Sequence, residues 1–313
     1  MTDRPKASVI IPTYKRPKLL RHLLESLVTQ RPEQPFEVII VNDDPDDDIS
    51  HLLKVAAGLH LKVINLKQDR GRAIARNTGV ENSDGDILIF LDDDMTVVPD
   101  FVSRHLEEHH DPMCAVIGNI VSAPQFASDP LARYIERQGA KKRKPGQALP
   151  PRCFRTGNAS VSRYLFKLAG AFDESLRTYG EDIDLAMRLS YKGARFIFAE
   201  GAISYNNDPP DLDNLVAKLR EWGRFTLPVH APRHPALARA LWLHLAEPMR
   251  PGRESPILTF KKMAVRITLT PPFYALACLV YRLKWLGRIL FPVIDFIRVY
   301  NYLNEYRRTL VSK

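Results

Sequence analysis

The chain has 313 residues, enough for one large α/β domain with added elements or for two modest domains. Three widely spaced cysteines, Cys114, Cys153 and Cys278, exclude a disulfide framework and a zinc site and fit a reducing compartment. The net charge of +9 is concentrated in residues 249–313, where 12 Lys and Arg face 3 Asp and Glu; the first 248 residues hold 33 of each sign and are neutral. The basicity therefore belongs to the C-terminal segment and constrains its partner.

Residues 1–6 are polar, and the apolar stretch Ala7 to Pro12 is too short for a signal peptide. Apolar runs recur at Ala7–Ile11, Phe36–Val41, Leu61–Leu66, Ile87–Leu91 and Ala115–Ile120. The first four are separated by stretches long enough for crossover helices. One such helix is marked by Leu19, Leu20, Leu23, Leu24, Leu27 and Val28, with Pro17 near its start. The alternation predicts an α/β fold with a mainly parallel sheet flanked by helices. Each run ends in polar or turn-forming residues: Pro12-Thr13-Tyr14, Asn42-Asp43-Asp44 and Asp92-Asp93-Asp94.

The last of these endings is the most informative. Ligands bind at the carboxyl ends of strands in open α/β sheets. Three adjacent carboxylates repel one another unless a cation compensates them, and hard oxygen donors suit Mg²⁺ or Mn²⁺, most of all where a diphosphate completes the shell. A solvated acidic turn is the competing reading. Further on, His105 and His109 are spaced as zinc ligands on a helix, but no third ligand is evident, which favours a solvated helix face. The segment Gln138 to Arg152, with Lys141-Lys142-Arg143-Lys144 and several prolines and glycines, reads as a basic lid or a solvated loop. In Gly180-Glu181-Asp182-Ile183-Asp184-Leu185-Ala186-Met187-Arg188, the carboxylates of Glu181 and Asp182 fall in a first helical turn, where the helix dipole favours them.

The C-terminal segment contains an uncharged apolar run, Pro271 to Tyr281, too short to span a bilayer and followed by Arg282 and Lys284. Arg288, Asp295, Arg298 and Glu305 fall on one side of a helix with apolar residues elsewhere. This describes a basic amphipathic element that lies on a membrane surface or packs on the catalytic domain. The expected division is a catalytic domain over 1–248 and a helical tail over 249–313.

Seven stretches, in this order, resemble the family 2 glycosyltransferases with the GT-A (Rossmann-like) fold: Ser8 to Arg16, Val41 to Asp44, Arg70 to Gly79, Leu91 to Asp94, Thr156 to Asn158, Gly170 to Glu174 and Gly180 to Arg188. Each is weak alone; together they cover roughly Ala7 to Pro235. The resemblance implies transfer of a sugar from a nucleotide-diphosphate donor to an acceptor hydroxyl, with inversion, helped by Mg²⁺ or Mn²⁺. It places Asp94 on the metal, with Asp92 at the ribose or a metal-bound water, and Asp93, in the variable middle position, among the residues that meet the nucleotide. Asp182 matches the family's general base, and Glu181 a residue positioning acceptor or loop. Asp43 matches the carboxylate that binds the nucleobase, with Asn42 replacing the first aspartate of the usual pair. Pro12, Thr13 and Arg16 lie at the expected nucleotide pocket. Arg76 resembles the donor-binding arginine, which would also offset the acidic cluster, and Asn158 the polar contact behind the donor sugar.

Two departures stand out. Many relatives supply a histidine to the metal where this chain has Asn206, at the end of the strand Ala194 to Asn206. The Gln-x-x-Arg-Trp order of processive synthases is absent from Arg220-Glu221-Trp222-Gly223-Arg224, which argues for adding one or a few sugars. The expected setting is the cytoplasmic side of a cell membrane, peripherally attached through its anionic surface, with a glycan or lipid-linked acceptor in surface polysaccharide or glycolipid synthesis. A nucleotidyltransferase would share the acidic metal ligands but carry a glycine-rich signature that Pro12 to Arg16 lacks. A non-enzymatic anion-binding protein would rely on the tail alone, whose aliphatic and aromatic content suits lipid rather than nucleic acid.

Overall fold

The computed structural model describes residues 6–52, 54–139, 149–176, 179–250 and 252–311; the expected basic stretch Lys141 to Lys144 lies outside them. Strands β1 (Ala7–Thr13), β2 (Phe36–Asn42), β3 (Leu61–Asn65), β4 (Ile87–Leu91), β5 (Met95–Val97), β6 (Cys114–Ser122), β7 (Asn158–Ser162) and β8 (Arg195–Asn206) form one sheet in the order β3-β2-β1-β4-β7-β6-β8-β5. The helices between them are α1 (Pro17–Leu27), α2 (Arg72–Glu81), α3 (Phe101–Glu107), α4 (Pro130–Arg137), α5 (Arg163–Leu168) and α6 (Glu181–Tyr191).

The sheet is parallel through β3, β2, β1 and β4 and again between β6 and β8, and antiparallel at β4–β7, β7–β6 and β8–β5. The parallel half follows from composition. All five side chains of β4 are buried, as an interior strand covered on both faces requires. Successive residues divide between the two faces: Ile10, Ile39 and Val41 pack with Ala73, Ala75 and Val80 of α2. On the opposite face Val9, Ile11, Val38 and Ile40 meet Leu20, Leu23, Leu24 and Leu27 of α1. Strands β5 and β7 were not legible as apolar runs, because one has three residues and the other is the small, polar Asn-Ala-Ser-Val-Ser.

Chain order reverses on either side of β1, since β2 pairs on one edge and β4 on the other. The carboxyl ends of β1, β2 and β4 consequently share one border of the sheet, the site of a topological switch point. Antiparallel pairing of Leu91 with Asn158 and of Met95 with Asn206 returns the start of β7 and the end of β8 to the same border.

This sheet and its helices, apart from the first five residues of α4, form one compact unit, residues 1–127, 135–177 and 181–209; the other comprises 128–134, 178–180 and 210–313. The boundary near residue 248 expected from charge is thus displaced to 210. Charge marks where basic residues accumulate, whereas α7 (Leu212–Glu221), well before that point, packs on α12 (Phe291–Val311). Arg220 Nε donates to Asn301 Oδ1 at 2.8 Å, and the Trp222 and Tyr302 rings lie 5.6 Å apart. The remaining helices of this unit are α8 (Leu227–Arg233), α9 (Pro235–Ala240), α10 (Pro256–Thr268) and α11 (Pro271–Tyr281).

The charged stripe predicted along one helix is also corrected. Gly287, at φ 55° and ψ −121°, breaks the helix between Arg288 and the residues before it, and α12 starts only at Phe291. Asp295 accepts a hydrogen bond from the Tyr134 hydroxyl, which accepts another from Arg298 at 2.6 Å, so these charges serve packing inside the unit. Phe291 is buried, and Tyr274 stacks on Tyr300 at 4.2 Å. Phe273 and Trp285 are exposed, as are Ile257, Phe260, Met263 and Ile267 along α10. Among the described residues no single helix is long and apolar enough to cross a membrane; α10 and α11 pass that test only as a pair bent by 59°.

Candidate active site

Asp92, Asp93 and Asp94 leave the end of β4 in three different directions. Asp93 turns inward, where its Oδ2 accepts the Thr13 hydroxyl at 2.7 Å, and burial pushes its carboxyl up to about 6. Asp93 and Thr13, both expected to meet the nucleotide, are 6% and 4% exposed and tie β4 to β1. Pro12 lies within β1 opposite Val41.

The outer two aspartates each hold one arginine. Asp94 Oδ2 accepts Arg16 Nη1 at 2.9 Å. Asp92 Oδ1 accepts Arg76 Nη2 at 2.8 Å, and Arg76 Nη1 donates at 2.6 Å to Glu181 Oε1. Arg76 is 1% exposed and its guanidinium also covers the Phe172 ring, 5.7 Å away. It is therefore a buried bridge between two strand-end and helix-start carboxylates, the charge-offsetting role anticipated for it, rather than an open donor contact. Glu181 is correspondingly spent on Arg76 and is not displayed toward an acceptor.

Asp92 and Asp94 differ electrostatically because their surroundings do. Burial opposes charge on Asp92, yet Arg76 and then Arg72 hold its carboxyl below the usual range. Burial, reinforced by Asp92 and Asp93, pushes Asp94 up to about 7 despite Arg16. Asp94 Oδ1 is buried and has no hydrogen-bond partner among the described residues. Gly157 lets the start of β7 approach, since a Cβ there would stand 3.0 Å from Asp92 Oδ2.

Asp208 completes this cluster and was missed by sequence reasoning. Arg16 Nη2 lies 3.5 Å from Asp208 Oδ2, and the Asp208 charge adds to the pressure on Asp94. It gets there because β5 pairs with β8 and because Asn206 Oδ1 accepts the Asp208 N–H at 2.8 Å. That bond takes one lone pair of the Asn206 oxygen, which stands where many relatives have a histidine, and sets a carboxylate two residues later.

Asp43 accepts the backbone N–H groups of Arg70 and Gly71, each at 2.8 Å, and burial raises its carboxyl in spite of them. Asn42 bonds Asn65 and the Asp47 carbonyl and receives the Asp44 N–H, shaping the end of β2. Asp182, in the first turn of α6, is pushed up to about 7 by burial and then by Glu181; Arg155, a second residue sequence reasoning missed, opposes this. Its Oδ1 accepts the Ile183 N–H at 2.7 Å.

Asn158 does not present a free amide. Its Nδ2 donates to the Ala202 carbonyl and the Ser204 hydroxyl, and its Oδ1 lies 2.9 Å from His105 Nε2. His105 Nδ1 is 2.9 Å from Ser160 Oγ, which is 2.7 Å from His109 Nε2. The expected solvated histidine face is thus a buried polar chain beneath β7. Burial holds His105 down to about 4 and His109 to about 3, so both are neutral.

A divalent cation fits this donor set in part. Asp94 offers an orphaned buried oxygen and Asp92 a partly exposed carboxylate, but among the described residues no three Asp, Glu, His or Cys side chains already form a coordinating group. A ligand bringing its own oxygens, as a diphosphate does, supplies what two carboxylates lack.

A family model described as glycosyl transferase family 2 matches residues 8–167. The glycosyltransferase YfnE of Bacillus subtilis (strain 168), itself uncharacterized, is 29% identical over 258 residues, 66% of this chain and 65% of YfnE. The chondroitin synthase of Pasteurella multocida (strain Pm70) is 27% identical over 271 residues, 75% of this chain and 28% of that protein. The chain thus spans less than two thirds of these curated relatives. Among solved structures, a mannosyltransferase, PcManGT from Pyrobaculum calidifontis in complex with GDP-Man and Mn²⁺, superposes with a TM-score of 0.57 at 18% identity, over 97% of this chain and 89% of that one. At such identity the likeness establishes the GT-A fold.

Proposed function

Because the chain belongs to glycosyl transferase family 2, we propose that it moves a sugar from a nucleotide-diphosphate sugar to an acceptor hydroxyl with inversion, in cell-surface polysaccharide or glycolipid synthesis. The observation that carries this reading is the unpartnered, buried Asp94 oxygen at a sheet border that also holds Asp92, Asp208 and Arg16. Such a border is built to receive a charged, oxygen-rich ligand. The metal in the PcManGT complex and the UDP, GalNAc and Mn²⁺ named for a GalNAc-T7 structure support a donor of this class.

The residues divide the work as follows. Asp43, held by the backbone N–H groups of Arg70 and Gly71, would accept from the nucleobase. Arg76 fixes Asp92 and, through Glu181, the first turn of α6, so the donor side and the base side share one rigid strut. Asp94 and Asp92 would hold a divalent cation, Mg²⁺ or Mn²⁺, which when bound neutralises charge on the departing diphosphate. Asp182 takes the acceptor proton as the hydroxyl oxygen bonds to the anomeric carbon and the bond to the diphosphate breaks on the opposite face. A carboxyl held near 7 is well matched to that proton transfer.

The second compact unit gives the enzyme its place. With the surplus of positive charge in residues 249–313 and exposed Phe260, Phe273 and Trp285, it attaches peripherally to the anionic inner face of the cell membrane, where a lipid-linked acceptor presents its hydroxyl. The test is a screen of nucleotide sugars with Mn²⁺ or Mg²⁺ and membrane extract as acceptor, reading nucleoside-diphosphate release. Metal-dependent release from one donor, absent in Asp182→Asn, is expected. Release from no donor, or undiminished release in the variant, would contradict the reading.

A further inference from the structure

Two arginines in the C-terminal unit are half-buried and, among the described residues, lack counterions. Arg266 of α10 and Arg307 of α12 line a cavity of about 330 Å³ whose other walls are Ala246, Pro248, Leu310 and Val311. Arg307 also lines a neighbouring cavity of about 300 Å³ that includes Arg220, Asn304 and Arg308. Among the described residues neither Arg266 nor Arg307 forms an ion pair, and Arg266 Nε is buried without a hydrogen-bond partner. The nearby carboxylate of Glu305 is committed to Arg308. Burial and the charges of Arg266 and Arg308 lower Arg307, so the pair repels itself where it stands.

Guanidinium groups withdrawn from water without a partner are costly, and two that converge on one cavity cost more. Their planar N–H forks match the oxygens of a phosphate, which would remove the repulsion. Beyond the arginines the cavity wall is apolar, which suits the body of an amphiphile better than a bare ion. Arg266 also sits on the helix whose Ile257, Phe260, Met263 and Ile267 are exposed, spaced by three and four residues on one face.

We infer that Arg266 and Arg307 form a seat for the phosphate of an anionic phospholipid headgroup. The seat rests on the membrane-surface reading given above and adds a specific site to it: binding depends on two particular arginines rather than on the charge surplus as a whole. With α10 laid along the interface, its apolar face enters the headgroup boundary while Arg266 and Arg307 close on one phosphodiester.

The experiment is flotation of the full chain with phosphatidylcholine vesicles doped with phosphatidylglycerol, or with oleate at equal surface charge. The proteins compared are wild type, the pair Arg266→Gln/Arg307→Gln, and a control pair of equal charge loss on the same unit, Arg253→Gln/Lys261→Gln. Wild type should prefer phosphatidylglycerol, and the Arg266/Arg307 pair should lose roughly tenfold or more in affinity, against a smaller loss for the control. Removing a repelling pair should leave Tm in phosphate-free buffer at or above wild type, which separates lost binding from lost folding. Equal losses in both pairs would overturn the seat while leaving membrane attachment standing. If wild type binds no vesicle, thermal shift with glycerol phosphate decides what fails. An arginine-dependent rise in Tm would overturn the lipid as occupant, and no rise would overturn the seat altogether.

Discussion

Arg76 Nη1 stands 2.6 Å from Glu181 Oε1, with both side chains almost wholly removed from solvent, so α2 and α6 are joined by an ion pair buried beneath the acidic border. The second N–H face of the same guanidinium holds Asp92. Replacing Arg76 by Met should strand a buried carboxylate and cost about 3 kcal/mol or more of stability. Arg76→Lys should recover part of the charge but not the two-sided geometry. Urea unfolding of both variants checks this; a loss below about 1 kcal/mol in Arg76→Met would show that the bridge is dispensable.

Asp182 should set the acidic limb of the pH–rate profile. Burial and Glu181 raise its carboxyl to about 7, so the base form prevails above that pH and the rate should fall about tenfold for each pH unit below it. Asp182→Asn should lower kcat by roughly 10² or more with donor affinity close to wild type. A profile flat from pH 5 to 8 would remove Asp182 from the role of base.

The buried histidines predict an acid-labile fold. Their folded values, about 4 for His105 and about 3 for His109, lie below the usual 6.5. The unfolded chain therefore binds more protons as pH falls, and stability is fully present above 6.5 and declines below it. Between pH 6.5 and 5 the loss should approach about 1.4 kcal/mol per pH unit for each histidine. Denaturant midpoints across that range measure it, and His109→Gln should reduce the slope; an unchanged slope would place the proton uptake elsewhere.

Asp208 should matter for ligand affinity more than for folding, because its side chain is partly exposed and its partner Arg16 also serves Asp94. Asp208→Ala is expected to weaken metal-dependent nucleotide binding roughly tenfold and shift stability by about 0.5 kcal/mol or less. Calorimetric titration with GDP or UDP and Mn²⁺ separates these effects, and unchanged affinity would make Asp208 a bystander.

What could be read from the residues followed from short-range patterns. The five buried apolar residues of β4 and the acidic triplet that ends them announced a strand end with chemistry, and the leucine spacing of α1 announced its buried face. Asp208 was hidden because its approach depends on a three-residue strand, β5, pairing with the far end of β8, a long-range event with no local mark. The pairing of His105 with Asn158 was hidden for the same reason: an i, i+4 spacing tells that two side chains share a helix face, not what lies against it. The C-terminal boundary was misplaced because charge was allowed to stand for packing, whereas Asn301 and Tyr302 of α12 seat α7 and Trp222 well before the basic residues begin.

The central claim is that Asp94, with its unpartnered buried oxygen, makes nucleotide-diphosphate binding depend on a divalent cation. Titration of GDP and UDP into wild type, Asp94→Asn and Asp182→Asn, each with Mn²⁺ and with chelator, tests it most directly. Wild type and Asp182→Asn should bind one nucleotide only when Mn²⁺ is present, and Asp94→Asn should lose that binding by roughly 10² or more. Equal binding by Asp94→Asn, or full wild-type affinity in chelator, would contradict the account.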